Sequence, residues 1–244
     1  MVADRTLAAT IASHPADVAA AAPAPLTSGT ATSRAPSGLA AYRARIAAEK
    51  RAAILGAAVA IFLDVGYDRA TLETIAARAE VSTGTLFKHF PTKAALFGAI
   101  SARLGDAEHL PAVALPLPGD PRRGLRVLGE AYAATVVDAT TIPLFRIAIA
   151  EAVRFPTLGE QLQARVRAPH LARLVRYLVA EHAAGTLALD EDGAATAASE
   201  FLAMLADQLF WPRLLVASLT VSGDDTSRVV ARAVDMLLAR YAVR

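Results

Sequence analysis

The chain has 244 residues, no cysteine, 55% hydrophobic residues and only 6% aromatic ones, so its apolar content is mostly Ala, Leu and Val. Without cysteine there is no disulfide, no thiolate nucleophile and no thiolate metal site. The formal charge is +2, but residues 41–104 hold nine Lys/Arg against five Asp/Glu, residues 1–40 balance, and residues 105–244 hold fourteen Arg against sixteen acids. The basic excess therefore sits on one segment, which is where a polyanion would bind. Ala and Leu are strong helix formers and no long stretch alternates with a period of two, so the expected fold class is all-α.

Residues 1–40 include "AAAPAPLTSGTATSRAPSG", show little periodicity and read as a disordered N-terminal tail. They offer neither a basic leader nor a clean apolar block. The longest uncharged stretch of the helical part, "AAILGAAVAIFL" at 52–63, falls short of the ~20 residues a membrane span needs. A cytoplasmic protein is expected. From 42 to 65 apolar residues recur at helical spacing (Ile46, Ile54, Ala57, Ala58, Ile61, Phe62, Val65), and Gly66 is placed to end that helix. Arg43, Arg45, Lys50 and Arg51 crowd its N-terminal half, where cations oppose the helix dipole, a placement that suggests a use. Thr71 is the cap of a second helix, with Thr74 at the capping-box position and Leu72, Ile75, Ala76 and Ala79 facing inward. Glu80-Val81-Ser82 is a break. A third helix runs from about Thr83 to Phe90, with Leu86 and Phe90 inward, and Pro91 stops it. Thr92 caps a fourth helix over about 93–104, whose expected buried residues are Ala95, Leu96, Ala99 and Ile100.

The loop "PAVALPLPGDP" (111–121) is a natural domain boundary, which gives expected domains over 41–104 and 120–244. Beyond it helices are expected near 122–138, 143–153, 157–183, 192–218 and 225–242. The third is broken near Pro169 and the fourth bent near Pro212. Gly185 and Gly193 mark breaks, and "SGDD" (222–225) is a turn with an N-cap. Phe145, Phe155, Phe201, Met204, Phe210 and Trp211 are the candidates to line an effector pocket between bundle helices, with plain core or dimer interface as the alternative for each. Arg146, Glu151 and Arg154 read as a structural ion-pair cluster. His170, Glu181 and His182 are too scattered for a metal site. There is no P-loop, no G-x-G-x-x-G and no H-E-x-x-H, so no catalytic residue, metal or cofactor is expected.

Two short helices joined by a three-residue turn, the second polar on its outer face, make a helix-turn-helix. Ala76 is small where the helices cross, and Val81 and Leu86 plug the gap. The outward residues Thr83, Gly84, Thr85 and Lys88 are the candidate base contacts. Small residues let the backbone approach the major groove, a Thr methyl can meet a thymine methyl, and Lys can reach guanine acceptors. Thr71, His89 and Lys93 at helix ends, with Arg45 and Lys50, are the candidate phosphate contacts.

The pieces "AAILGAAVAIFLDVGYDRATLETIA", "VSTGTLFKHF" and "TKAAL" resemble the DNA-binding domain of the TetR family of transcriptional regulators. "RIAIAEAVRFPTLGEQL" (146–162) and "FLAMLADQLFWPRLL" (201–215) are similar to one subgroup of TetR-type C-terminal domains. The resemblance implies a homodimeric repressor on a palindromic double-stranded DNA operator, with a C-terminal domain for dimerisation through its last two long helices and for a small apolar effector. Two positions depart from the family pattern: Glu80 stands where Gly is common in the turn, and Phe87 stands where Tyr is usual. They motivate an alternative, a helical small-molecule-binding protein that has lost its DNA affinity.

Overall fold

The computed structural model describes residues 38–105 and 115–243. The expected tail lies outside these residues except for its last three, which already belong to the first helix. That helix, α1 (Gly38–Val65), ends at Gly66, whose φ of 82° lets the chain turn in the left-handed region. Helix α2 (Leu72–Arg78) starts in a reciprocal capping box: the Thr74 N–H donates to Thr71 Oγ1 at 3.1 Å and the Thr71 N–H to Thr74 Oγ1 at 3.3 Å. Helix α3 (Thr83–His89) is capped by Ser82, and α4 (Lys93–Gly105) begins after Thr92, whose hydroxyl accepts from the Ala95 N–H at 3.0 Å. The expectation on α4 is corrected at two positions: Ala95 is exposed and Ala99 only half-buried, while Phe97, outside the expected set, is fully buried beside Leu96.

The second half holds α5 (Pro121–Val137), α6 (Thr141–Ala150), α7 (Thr157–Leu162), a π-helical turn (Gln163–Arg167), α8 (Ala168–Ala183), α9 (Glu191–Leu209), α10 (Trp211–Leu215) and α11 (Gly223–Tyr241). Both proline-linked breaks have a physical cause. Pro169 has no N–H for the carbonyl of Arg165, and the chain widens into the π-turn just before it. Pro212 likewise cannot donate to Gln208, and the helix breaks at Phe210. Gly185 ends α8 with φ 75°. Gly193 marks no break: it lies in the first turn of α9, its N–H donating to the Asp190 cap at 2.7 Å.

Two apolar clusters hold the chain together. One joins α5, α8, α9 and α11 around Leu125, Tyr132, Tyr177, Leu178, Phe201 and Val230. The other starts from α1–α4 with Ile54, Phe62, Ile75, Leu86 and Phe97, and is completed by Leu144 and Ala148 of α6, Leu158 and Leu162 of α7, and Val166 of the π-turn. Each such side chain contributes about 1.5–3 kcal/mol by leaving water. Rings continue the same junction: Tyr67 packs on Phe62 (5.2 Å between centroids), Phe97 (5.9 Å) and Phe155 (5.1 Å). Burial raises the Tyr67 phenol above its ordinary range, with the charge of Glu151 adding to the effect.

The bundle also buries polar groups. Glu181 is fully buried, and its carboxyl meets the Gly119 N–H at 2.9 Å, the Thr186 hydroxyl at 2.5 Å and the Tyr177 hydroxyl. The Tyr177 hydroxyl also lies 3.0 Å from the Asp120 carbonyl, so that carbonyl and Glu181 share its one proton. A Cβ on Gly124 would overlap the Tyr177 hydroxyl, so only glycine admits this ring. Among the described residues no single helix is long and apolar enough to cross a membrane; the bent pair α5–α6 passes by length and composition, but its inner side chains are core.

Candidate nucleic-acid interface and ligand cavity

The polar helix α3 owes its position to one buried residue. Leu86 is fully buried, while Thr83, Gly84 and Lys88 are exposed and Thr85 is half-buried. Three candidate base contacts thus face solvent on one short helix, and the fourth lies beside them. The Thr85 hydroxyl is 2.8 Å from Ser82 Oγ, so the cap engages it. Phe87 is 42% exposed, which puts an aromatic edge on the same surface in place of a phenol. The turn holds a backbone outlier: Glu80 has φ 54°, the only positive φ of a non-glycine residue among those described. A side chain there costs about 1 kcal/mol relative to glycine. The departure from the glycine pattern therefore leaves the turn geometry intact and strained.

The candidate phosphate contacts separate into two kinds. Thr71 is exposed at the start of α2, and Lys50 and Arg45 are exposed on α1, with Arg45 3.8 Å from Glu49. His89 is half-buried with its ring 6.3 Å from that of Phe90. Lys93 is half-buried and already has partners within the chain. Its ammonium donates to the Tyr67 carbonyl at 2.8 Å and the Asp68 carbonyl at 2.8 Å, and lies 4.9 Å from the Tyr67 ring centre. A charged donor satisfied by two carbonyls ties α4 to the turn after α1, and that is its visible work here. Arg51, outside the candidate set, lies over the Phe90 ring at 4.7 Å.

In the second half, a cavity of about 340 Å³ opens between α5, α6, the π-turn, α9 and α10. Phe145, Phe210 and Trp211 line it, as anticipated residues. The other three candidates do not: Phe201 is fully buried core, Phe155 packs on Tyr67, and Met204 lies in a neighbouring groove with Trp211, Val229 and Met236. Tyr132, Gln163, Val166 and Arg167 line the cavity and were missed, because no local pattern shows that a helix will widen into a π-turn. The ion-pair cluster is also corrected. Arg146 donates to the Leu214 carbonyl at 3.0 Å and the Arg213 carbonyl at 2.8 Å, pinning α10 to α6, whereas Arg154 pairs with Asp68 at 2.7 Å. Arg213 in turn caps the end of α5 through the Val136 and Val137 carbonyls at 3.0 and 3.2 Å.

His170 sits beneath the cavity wall. Its Nε2 is 3.0 Å from Thr135 Oγ1 and its ring stacks edge-on against Tyr132 at 5.3 Å. Because the Thr135 hydroxyl donates to the Ala131 carbonyl at 3.2 Å, its oxygen is left to accept from the ring N–H. Burial, with the charge of Arg173 as a smaller cause, lowers the imidazole pKa to about 4. The ring is therefore a neutral structural group and not a charged ligand contact.

With this geometry in place, comparison with known proteins agrees over both halves. Residues 54–100 match the model of bacterial regulatory proteins of the tetR family, and residues 123–243 match that of the AefR-like transcriptional repressor C-terminal domain. A TetR-family transcriptional regulator from Mesorhizobium loti MAFF303099 is 27% identical with a TM-score of 0.65, over 81% of this chain and 98% of its own. One from Pseudomonas syringae pv. tomato DC3000 is 27% identical with a TM-score of 0.63, over 80% and 98%. SmeT, the repressor of the Stenotrophomonas maltophilia multidrug efflux pump SmeDEF, is 28% identical with a TM-score of 0.56, over 79% and 90%. No curated protein sequence matches the chain. Two family models that together span most of the described residues, on a helix-turn-helix joined to a helical bundle, show that this chain belongs to the TetR family of transcriptional regulators.

Proposed function

We propose that the protein is a repressor that binds a palindromic operator as a homodimer and leaves it when a small effector enters the bundle. The observation that carries this reading is α3: a helix with one fully buried anchor, Leu86, and an outward face of Thr83, Gly84 and Lys88, on the one basic segment of the chain. Residues 41–104 then read DNA, and residues 120–244 hold the effector and the dimer contacts. Thr85 joins the base-reading set, and Thr71, His89, Arg45, Lys50 and the remaining N–H of Lys93 take phosphates. The exposed side chains of Trp211 and Met236, beside Met204 and Val229, supply the apolar surface that a partner copy would cover on α9, α10 and α11. Two recognition helices would meet major grooves about 34–36 Å apart. The repressor role agrees with the matched C-terminal model and with SmeT. An effector empties the operator only if it binds the non-binding spacing of the dimer more tightly than the binding one.

The test is binding of the purified protein to DNA flanking its own gene at two salt concentrations. Specific binding that weakens steeply with salt is expected, because neutralised phosphates release counterions. The Lys88→Ala variant is expected to lose about 10-fold or more in affinity. Absence of sequence-specific binding, after selection from random sites as well, would overturn the reading in favour of a ligand-binding protein without DNA affinity.

A further inference from the structure

The effector cavity carries more chemical information than its apolar lining. Its rings form a chain of edge-to-face contacts, Phe145 on Phe210 at 4.9 Å and 78°, and Phe210 on Trp211 at 5.5 Å and 77°. Such a chain presents ring edges and faces to a flat guest, which aromatic quadrupoles favour over a saturated chain. Arg167 lines the same cavity. It is half-buried, lies within 4 Å of no carboxylate among the described residues, and its one side-chain hydrogen bond is a long one to Ser199 Oγ at 3.5 Å. A guanidinium has five donors in a planar fork suited to a carboxylate, and a partly desolvated cation without a counter-charge is costly. Tyr132 lies beside it, 5% exposed, and its hydroxyl makes no hydrogen bond to any described residue. Its burial keeps the phenol protonated and thus a donor. Finally, Gln163, Val166 and Arg167 reach the cavity from a π-helical turn, in which the Ala168 N–H bonds back to the Gln163 carbonyl; such turns recur at functional sites.

Resting on the reading of this cavity as the effector site, we propose that its ligand is a planar aromatic acid, with its rings among Phe145, Phe210 and Trp211 and its carboxylate on the Arg167 guanidinium. The apolar walls set the affinity and the arginine sets the selectivity. Tyr132 and Gln163 donate to the remaining carboxylate lone pairs. The same π-turn packs against α4, the helix that follows the recognition unit.

Calorimetric titration of the purified full-length chain tests this with three probes of defined chemistry: biphenyl-4-carboxylate, its neutral isostere biphenyl-4-carboxamide, and decanoate. The acid is expected to bind about 10- to 100-fold more tightly than the amide, the range for a charge-assisted hydrogen-bonded pair. Arg167→Met should abolish that difference while leaving the amide within about threefold of its wild-type affinity, and Arg167→Lys should keep part of it. Equal binding of acid and amide, preference for decanoate, or no heat with any probe would overturn the proposal, as would unchanged acid binding in a folded Arg167→Met. Far-ultraviolet circular dichroism establishes that each variant folds; should Arg167→Met fail to fold, the wild-type acid-to-amide ratio decides alone. These titrations need no DNA. A protein that selects the acid but has no operator keeps the ligand assignment and loses the regulatory one, and an operator complex indifferent to the acid divides the two in the opposite way.

Discussion

In the recognition unit, the caps that shape α2 and α3 close over three residues: Thr71 with Thr74, and Ser82 with Thr85. In the bundle, the polar contacts that fix the helices span the chain: His170 to Thr135 over 35 residues, Glu181 to Gly119 over 62, Arg146 to Leu214 over 68 and Arg213 to Val136 over 77. Local caps set where a helix begins and leave its outer face free to vary. Long-range contacts set how helices sit against one another, and a bundle that switches must keep some of them and exchange others. The exposed positions Thr83, Gly84 and Lys88 can thus change at little cost to folding, while the bundle's polar interior cannot.

Glycine-to-alanine substitution gives the largest contrast. Gly124→Ala in the bundle is expected to lose about 3 kcal/mol, because its Cβ overlaps Tyr177 and the ring has no room to retreat. Gly56→Ala on α1, where a Cβ meets nothing within 4 Å, should instead gain about 1 kcal/mol from helix propensity. Urea unfolding of both variants measures the pair, and effects of the same sign would break the comparison.

The buried imidazole makes the bundle sensitive to acid. The folded pKa of His170, about 4, lies below the ordinary 6.5, so the unfolded chain binds the extra proton first. Its contribution is fully present above about pH 6.5 and is lost as pH falls toward about 4, amounting to about 3 kcal/mol over that window. Thermal midpoints of wild type and His170→Gln across this range should converge as pH falls; parallel curves would show that the ring does not titrate as described.

Smaller effects distinguish lysines within the recognition unit. Lys93→Met should cost about 1.5 kcal/mol, since it removes two charge-assisted hydrogen bonds, whereas Lys88→Met should stay within about 0.5 kcal/mol of wild-type stability. Equal losses in denaturant titration would remove the division between a lysine that holds the fold and one that does not. Smallest is Glu80→Gly, which relieves a positive φ and is expected to stabilise by about 1 kcal/mol or less, read as a higher thermal midpoint.

The same contrast of ranges explains what the sequence discloses. Thr71 with Thr74, Gly66, Pro91 and the inward Leu86 and Phe90 are all legible, because each acts on neighbours within one helical turn. Even the strain at Glu80 follows from its place in a turn that favours glycine. The intramolecular bonds of Lys93 are not legible, because a lysine at a helix start gives no sign of the carbonyls of Tyr67 and Asp68, 26 and 25 residues earlier. The cavity is half legible: Phe145, Phe210 and Trp211 belong to apolar stretches that suggest a pocket, but Arg167 and Tyr132 reach it only through the π-turn and the packing of α5. Phe155, with the same chemistry as Phe145, goes to Tyr67 instead, and ring chemistry alone does not separate the two.

That contact of Phe155 with Tyr67 belongs to a seam along which Leu144, Leu158, Leu162 and Val166 finish the apolar interior begun by α1 to α4. The DNA-reading head is therefore no interchangeable cassette. A chimera grafting residues 38–105 onto a foreign bundle would leave Phe97 and its neighbours without their lid unless those positions travelled with it. Divergence of new regulators from this one is correspondingly constrained: the outer face of α3 can change without touching the seam, whereas exchange of whole halves requires the seam to be inherited intact.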